Sequence, residues 1–235
     1  MPKIPDTHGI EVELAKRLIE VNWKLSEIKT KTVKQRHPCI EESIGILESS
    51  INGNKFRRKL LEIENWLNSL KMFKYPIRIF LLDDDSSGFG ERYMYYYIYL
   101  DICECHCLAD YVDRLGHELV HCLQAGCVPD FHADYDLYIT NFQNEYTEKR
   151  KDKTYINIYD MGEYAYFNNP LEVQALAKSF MSCIDVDSIK LNGKAITKAI
   201  KKHSLYKRVR KQMTRKSWQK FTGYITREII DRKMV

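Results

Sequence analysis

Two histidines and a glutamate near the middle of the chain have the spacing of residues that bind and use a metal ion. They are His117, Glu118 and His121, in the run H-E-L-V-H. Histidines four positions apart lie one turn apart on the same face of an α-helix, so both imidazoles can reach one ion. Glu118 projects about 100° around the helix from His117. The spacing predicts a zinc ion held by the histidines, with Glu118 taking a proton from the water that zinc acidifies.

An amphipathic helix is predicted to carry these three residues. From Leu108 to Gln124, apolar side chains recur at helical spacing on both sides of the motif, and Gly126 is a residue at which a helix can stop. The alternative is a helix with two unrelated histidines and a surface glutamate, since a pattern this short arises by chance in about 1% of chains of this length. The half-buried character of the predicted helix favours the metal site.

A catalytic zinc needs a third protein ligand and an open position for water. The candidate is Glu172, in the run N-P-L-E-V-Q-A, where Asn169 is predicted to cap a helix that begins at Pro170. The alternative is a capping box, which places a glutamate at this position to satisfy the amide of the cap residue. We favour a metal ligand, because it would complete the histidine pair. His132 is the alternative ligand, in a loop that could fold back.

The elements that position these residues are predicted to be mainly helical. Two strand-like runs, residues 77–82 and 92–100, flank a polar loop at 83–90 and precede the motif helix. The stretch 127–169 is polar and weakly periodic. The other predicted helices cover residues 9–29, 40–51, 55–72, 170–184, 188–202 and 206–233. The predicted class is α+β, with a short β-sheet packed on the motif helix and a second helix that bears Glu172.

This order of two strands, the H-E-x-x-H helix and a later N-P-x-E-x-x-A segment resembles the zincin metallopeptidases, in particular the gluzincin type with a glutamate as third ligand. The resemblance covers roughly residues 77–184. It implies that His117, His121 and Glu172 are the zinc ligands and that Glu118 is the general base. Short bacterial and phage zinc peptidases, and the ImmA/IrrE and SprT-like groups, share the two-helix arrangement.

The chain departs from better-defined branches of the zincins. Glu172 lies far from His121 in sequence, and an alanine stands one turn after it where the thermolysin branch has an aspartate. The H-x-x-G-x-x-H continuation of the metzincins is absent. The resemblance therefore implies the zincin mechanism without assigning the chain to one of these branches.

The function implied by the resemblance is that of a zinc-dependent hydrolase that cleaves a peptide or protein substrate. Glu118 would accept a proton from water and deliver it to the leaving amine. The oxyanion needs a donor besides zinc, and Tyr164 and Tyr166, just before the Glu172 helix, are the candidates. With 16 tyrosines in the chain, packing is the alternative role for both.

Length and composition predict an ordinary globular protein of 235 residues. The predicted organisation is a helical segment at 1–74, the zincin-like core at 75–185 and a basic helical segment at 186–235. No apolar run approaches the roughly 18 residues that span a bilayer, which predicts no membrane partner. The polar start and seven irregularly spaced cysteines predict a cytoplasmic location with free thiols. Oligomeric state is not predicted.

Three alternating cysteines precede the motif helix: Cys103, Cys105 and Cys107. Their thiolates could bind a second metal ion. Their spacing differs from the C-x₂₋₄-C of structural zinc pairs. Small thiols alternating between the faces of a strand end explain the run at least as well.

The net charge of +5 hides a strong asymmetry. From Lys190 onward the chain has 15 basic residues and two acids, a net of +13, so the rest carries −8. Basic residues between 201 and 220 are interleaved with aromatic ones, which could neutralise phosphates and stack on bases. The alternatives are solvated faces of amphipathic helices, or docking on the acidic remainder. Two alternative functions follow: a nucleic-acid-associated protease, and a non-catalytic zinc protein that binds nucleic acid.

Overall fold

The computed structural model describes residues 4–29, 53–82, 87–101, 105, 107–127 and 158–234. The described residues belong to two compact units, one within 7–126 and the other within 1–6 and 127–235. The strands are β1 (Ile77–Leu82), β2 (Gly88–Arg92) and β3 (Tyr95–Asp101). The helices are α1 (His8–Lys29), α2 (Gly53–Ser69), α3 (Leu108–Cys127), α4 (Ile158–Asn168), α5 (Pro170–Met181), α6 (Gly193–Ile200), α7 (Tyr206–Gln212) and α8 (Arg215–Lys233). The predicted α+β class is confirmed. The predicted domain boundaries stay predictions.

Helices α1 and α2 pack on each other in the unit formed by residues 7–126. Each has an apolar face, with Leu14 and Leu18 on α1 and Ile63 and Leu67 on α2 fully or almost fully buried. This burial is what the 3.6-residue spacing of their apolar residues predicts. The helix predicted at 40–51 lies outside the described residues.

The sheet has three strands in the order β1-β3-β2, with β1 parallel and β2 antiparallel to β3. Side chains alternate between two faces along a strand. One face is fully or almost fully buried, and it is formed by Ile77, Ile79, Leu81, Tyr96, Ile98 and Leu100. The other face carries stacked aromatic rings, with Phe80 at 5.7 Å from Tyr97 and 5.6 Å from Tyr99 between ring centroids.

The sequence prediction for this region was partly wrong. Residues 88–90, predicted as loop, begin strand β2, and a turn at Tyr93 and Met94 separates β2 from β3. Both turn residues have positive φ, 52° and 62°. A two-residue hairpin with this backbone is normally signalled by Asn-Gly or a similar pair. Because neither residue is Gly or Asn, the hairpin leaves no such signal in the sequence.

Two polar side chains of α2 bind the outer edge of β1. Asn68 accepts the N–H of Ile77 at 2.8 Å and donates to its carbonyl oxygen at 3.1 Å. The Glu64 carboxylate accepts the N–H of Ile79 at 3.0 Å. An uncovered strand edge leaves a row of unpaired backbone groups, so these contacts satisfy part of that row.

In the unit formed by residues 1–6 and 127–235, helices α4 to α8 enclose a second apolar core. Phe180 of α5 and Phe221 of α8 are fully buried and meet edge to face, with ring centroids 4.9 Å apart. Helix α4 lies in the stretch whose weak periodicity left it unassigned in the sequence.

The segment 206–233, predicted as one helix, is two helices that break at Met213 and Thr214. Thr214 caps α8 by accepting the N–H of Ser217 at 3.1 Å. Asn168, at the end of α4, accepts the N–H of Thr214 at 2.7 Å and donates to the Gln212 carbonyl at 2.9 Å. The break is therefore stabilised by a residue more than forty positions away, which local periodicity cannot reveal.

An ion cluster around the buried Lys178 side chain links the start of this unit to its last helix. The side chain of Lys178 on α5 is 4% exposed and contacts Asp6 at 3.1 Å and Glu228 at 2.7 Å. Arg232 contacts the same two carboxylates. Two cations and two anions thus balance one another at this position.

None of the helices in the described ranges combines the length and the apolar character that crossing a bilayer requires.

Candidate metal centre

Helix α3 presents the H-E-x-x-H motif as the spacing predicts. Its apolar side chains on both sides of the motif, among them Leu115, Leu119 and Cys122, are fully buried. The helix runs to Cys127, so Gly126 does not end it. A Cβ atom at Gly126 would lie 3.4 Å from the Cβ of Lys74, which indicates a close approach of α3 to the segment before β1.

The imidazoles of His117 and His121 point to a common place. Their Nε2 atoms are 3.1 Å apart, and the rings are tilted by 79° with centroids 4.8 Å apart. Two nitrogens bound to a tetrahedral ion at about 2.0–2.1 Å are separated by about 3.3 Å. The observed separation is close to that value, so the pair has the geometry of two ligands of one ion.

Gln124 orients His121 from one turn further along α3. Its Oε1 atom lies 2.9 Å from His121 Nδ1, and the Gln124 side chain is fully buried. An acceptor at Nδ1 places the proton of a neutral imidazole there, which leaves the lone pair on Nε2. Gln124 was not predicted from the sequence, although its position three residues after His121 is a usable signal because it puts Gln124 on the same helix face.

Glu118 lies between the histidines and is only 5% exposed. Its negative charge is one of the causes that raise the pKa of the neighbouring Cys122 thiol well above its usual range, after burial itself. The predicted general base is therefore a buried carboxylate on the helix that holds the histidines.

Glu172 lies in the first turn of α5, as predicted, and is 3% exposed. Asn169 caps this helix, and its side chain accepts the N–H of Leu171 at 2.9 Å. The backbone N–H of Asn169 donates to the carbonyl oxygens of Ala165 at 2.9 Å and Tyr166 at 3.1 Å. The capping-box alternative is thus not needed to explain a glutamate here, since that amide already has acceptors.

One ligand atom from each of His117, His121 and Glu172 lies within 4.8 Å of the other two. Among the described residues, these three histidine and acidic side chains form a group close enough to hold one metal ion. Two imidazoles and a carboxylate suit first-row divalent ions, including zinc. The donor set therefore fits the predicted ion, and the structure brings together the three residues proposed as its ligands.

The two tyrosines proposed as oxyanion donors lie on α4, and both are partly buried. Tyr166 packs against the core of its unit and meets Phe167 edge to face at 5.3 Å. The Tyr164 carbonyl accepts a hydrogen bond from Asn168 at 2.8 Å. Core packing thus gives the Tyr166 side chain a structural role, and the catalytic role of both tyrosines stays a prediction.

The alternative ligand His132 lies outside the described residues, as do Cys103 and His106 of the cysteine run. Cys105 is buried, and its pKa is raised to about 12 by burial and then by the Asp110 carboxylate. Cys107 is exposed. Among the described residues, neither thiol belongs to a group of three side chains that could hold a metal ion, so the second metal site stays a prediction.

No protein-family model, no curated protein and no solved structure matches this chain.

Proposed function

We propose that this protein is a zinc-dependent hydrolase, and more specifically a metallopeptidase. The observation that carries the proposal is the meeting of His117, His121 and Glu172 ligand atoms within 4.8 Å. The resemblance of the motif and its order along the chain to the zincins supports the same function.

Three protein ligands leave one position of a tetrahedral ion open, as catalytic zinc sites require. Bound there, zinc would lower the pKa of a water molecule to around 7 and polarise a carbonyl group. The hydrogen bond from His121 to Gln124 fixes the ring in the orientation and tautomer that a ligand needs. This chain would thereby supply a preorganised set of donors.

The proposed role of Glu118 is to take a proton from the attacking water and pass it to the leaving amine. A carboxylate that is 5% exposed lies in a low-dielectric environment, where an electrostatic interaction is stronger than in water. Tyr164 and Tyr166 remain the proposed donors to the oxyanion. The proposed substrate is a peptide or protein, and the cytoplasm is the proposed location.

Zinc binding is the first test. Elemental analysis of tag-free protein reconstituted with zinc should give about one zinc per chain, and His117→Ala and Glu172→Ala should each lose most of it. His8→Ala and Glu62→Ala, the same substitutions away from the proposed site, should keep it. No zinc in the wild type would overturn the proposal. If Glu172→Ala keeps its zinc while His117→Ala loses it, Glu172 is not a ligand, and His132 becomes the candidate for the third ligand.

Hydrolysis is tested with Glu118→Gln, which preserves side-chain size but cannot accept the proton. The variant should keep its zinc and lose at least about a hundredfold in the rate of cleaving a mixture of quenched fluorescent peptides. If the wild type binds zinc but cleaves no peptide faster than Glu118→Gln does, the result would favour the non-catalytic zinc protein.

A further inference from the structure

The C-terminal helices α6 to α8 carry a dense, exposed positive charge. From Lys190 to the end, the chain has 15 basic residues, and each of them except Arg232 is exposed. Such a concentration creates a potential that attracts polyanions over distances of about 8 Å at physiological salt.

Acidic residues within this segment neutralise little of that charge. It contains two, and Glu228 is engaged by Lys178 and Arg232 in the ion cluster described above. That leaves Asp231 on the surface. Outside the segment, Glu163 of α4 pairs with Arg208. The remaining exposed cations of α6 and α7 have no ion pair within the part of the chain that the structure describes.

Three of these lysines line one depression. Lys194 and Lys198 on α6 and Lys201 at its C-cap recur at intervals of four and three, so they share one face of the helix. They border a broad surface depression of about 990 Å³. Its lining contains no acidic residue and is completed by Asn192, Gly193 and Thr197.

The aromatic residues of the segment are not arranged to stack on bases. Phe221 is fully buried, and Tyr206, Trp218 and Tyr224 pack partly buried against the core of the unit. Proteins that bind single strands combine positive charge with exposed aromatic rings. The rings here serve the core, so the cations are the groups left to make contact.

We propose that the exposed basic surface of α6 to α8, centred on Lys194, Lys198 and Lys201, binds the phosphate backbone of double-stranded nucleic acid without sequence preference. A duplex carries one charge per about 1.7 Å of axis, and lysines can neutralise it without reading bases. An anionic membrane fits less well, because the apolar faces of these helices lie in the core and offer no continuous stripe for insertion. The inference does not depend on the proposed hydrolase.

The test is anisotropy of a labelled 30-base-pair DNA duplex of random sequence, titrated with full-length protein between 50 and 200 mM salt. Wild type should bind with an affinity that falls steeply with salt. The triple variant Lys194→Gln, Lys198→Gln, Lys201→Gln should bind at least about tenfold more weakly at 50 mM salt. Its log–log salt slope should be shallower by up to about 2.7, the value for three lost phosphate contacts.

The matched control is Lys16→Gln, Arg58→Gln, Lys59→Gln, which removes the same charge from exposed positions on α1 and α2. It should bind the duplex like wild type, which separates a local surface from overall net charge. Circular dichroism establishes that both variants are folded.

Three results would overturn the inference: no duplex binding at 50 mM salt, equal weakening in both triple variants, or tighter binding to a single strand of the same length. Binding to vesicles of anionic phospholipid in the absence of duplex binding would assign the surface to a membrane instead.

Discussion

The orientation of His121 decides which of its nitrogens is offered to a metal. Gln124 occupies the Nδ1 side at 2.9 Å, so Nε2 faces the position shared with His117. Acceptors behind a ligand histidine raise its basicity and restrict its rotation. The buried Gln124 side chain thus preorganises the His121 ring for metal binding.

Removing that amide should weaken metal binding. We expect Gln124→Ala to lower zinc affinity by about 10–100-fold, measured by competition with a chromophoric chelator, because the ring loses its acceptor. Gln124→Glu keeps an acceptor at the same distance and should bind zinc at least as tightly as the alanine variant. Equal affinities of wild type and Gln124→Ala would show that the hydrogen bond does not orient the ligand.

The thiols just before α3 should differ sharply in reactivity. Burial and the Asp110 carboxylate raise the pKa of Cys105 to about 12, whereas Cys107 is exposed. Since the thiolate is the reactive form, iodoacetamide at pH 8 should label Cys107 well before Cys105, as read by mass spectrometry of the native protein. Comparable labelling rates would contradict the assigned burial.

The raised pKa of Cys105 also makes the free energy of unfolding depend on pH in the alkaline range. The unfolded thiol titrates near 9 and the folded one near 12, so the unfolded chain loses its proton first. The contribution of Cys105 is therefore full below about pH 9 and is lost as the pH rises towards 12. As the pH rises from about 9 to 12, the free energy of unfolding should therefore fall less steeply in Cys105→Ala than in wild type.

At the scale of elements, the edge of β1 depends on α2. Asn68 makes two hydrogen bonds to the backbone of Ile77. Asn68→Ala should lower the free energy of unfolding by about 1–3 kcal/mol in urea, because two backbone groups lose their partner. Asn65→Ala, at an exposed position on the same helix, should change it by less than about 0.5 kcal/mol. Both variants gain the same helix propensity, so equal effects would refute the bridging role.

The elements also show which parts of the fold a sequence can reveal. Helices α1, α3 and α5 were predictable, because each has a face of apolar residues that periodicity detects. Strand β2 was not, since its hairpin turns at Tyr93 and Met94 without a turn signature. The break between α7 and α8 was missed for a different reason, because Asn168 stabilises it from another helix.

The residues of the candidate site also differ in how far the sequence could predict them. Spacing within one helix was enough to predict that His117 and His121 share an ion, because that distance is local. The spacing of Gln124 places it on the helix face of His121, but its hydrogen bond to the ring depends on side-chain conformations that spacing does not give. Glu172 was suggested by resemblance and by the chemistry of a missing third ligand, since no periodicity connects residues this far apart in sequence.

At the scale of the whole molecule, the ion cluster joins Asp6 to Lys178 of α5 and to Glu228 and Arg232 of α8, all of which lie far from it in sequence. Lys178→Met keeps most of the apolar length of the side chain and removes its charge. It should lower the free energy of unfolding by about 1–3 kcal/mol, because Arg232 alone then faces two carboxylates. The matched control Lys220→Met replaces an exposed lysine and should fall within about 0.5 kcal/mol of wild type. An unchanged stability of Lys178→Met would show that the cluster contributes nothing net.

The same cluster has a consequence for synthesis of the chain. Asp6 and Lys178 are 172 positions apart, so their contact cannot form until the ribosome has added the residues between them. At about 5–20 residues per second, that delay is roughly 10–30 s. During that interval Asp6 lacks its partner Lys178, and the cluster is complete only after the ribosome has also added Arg232 of α8.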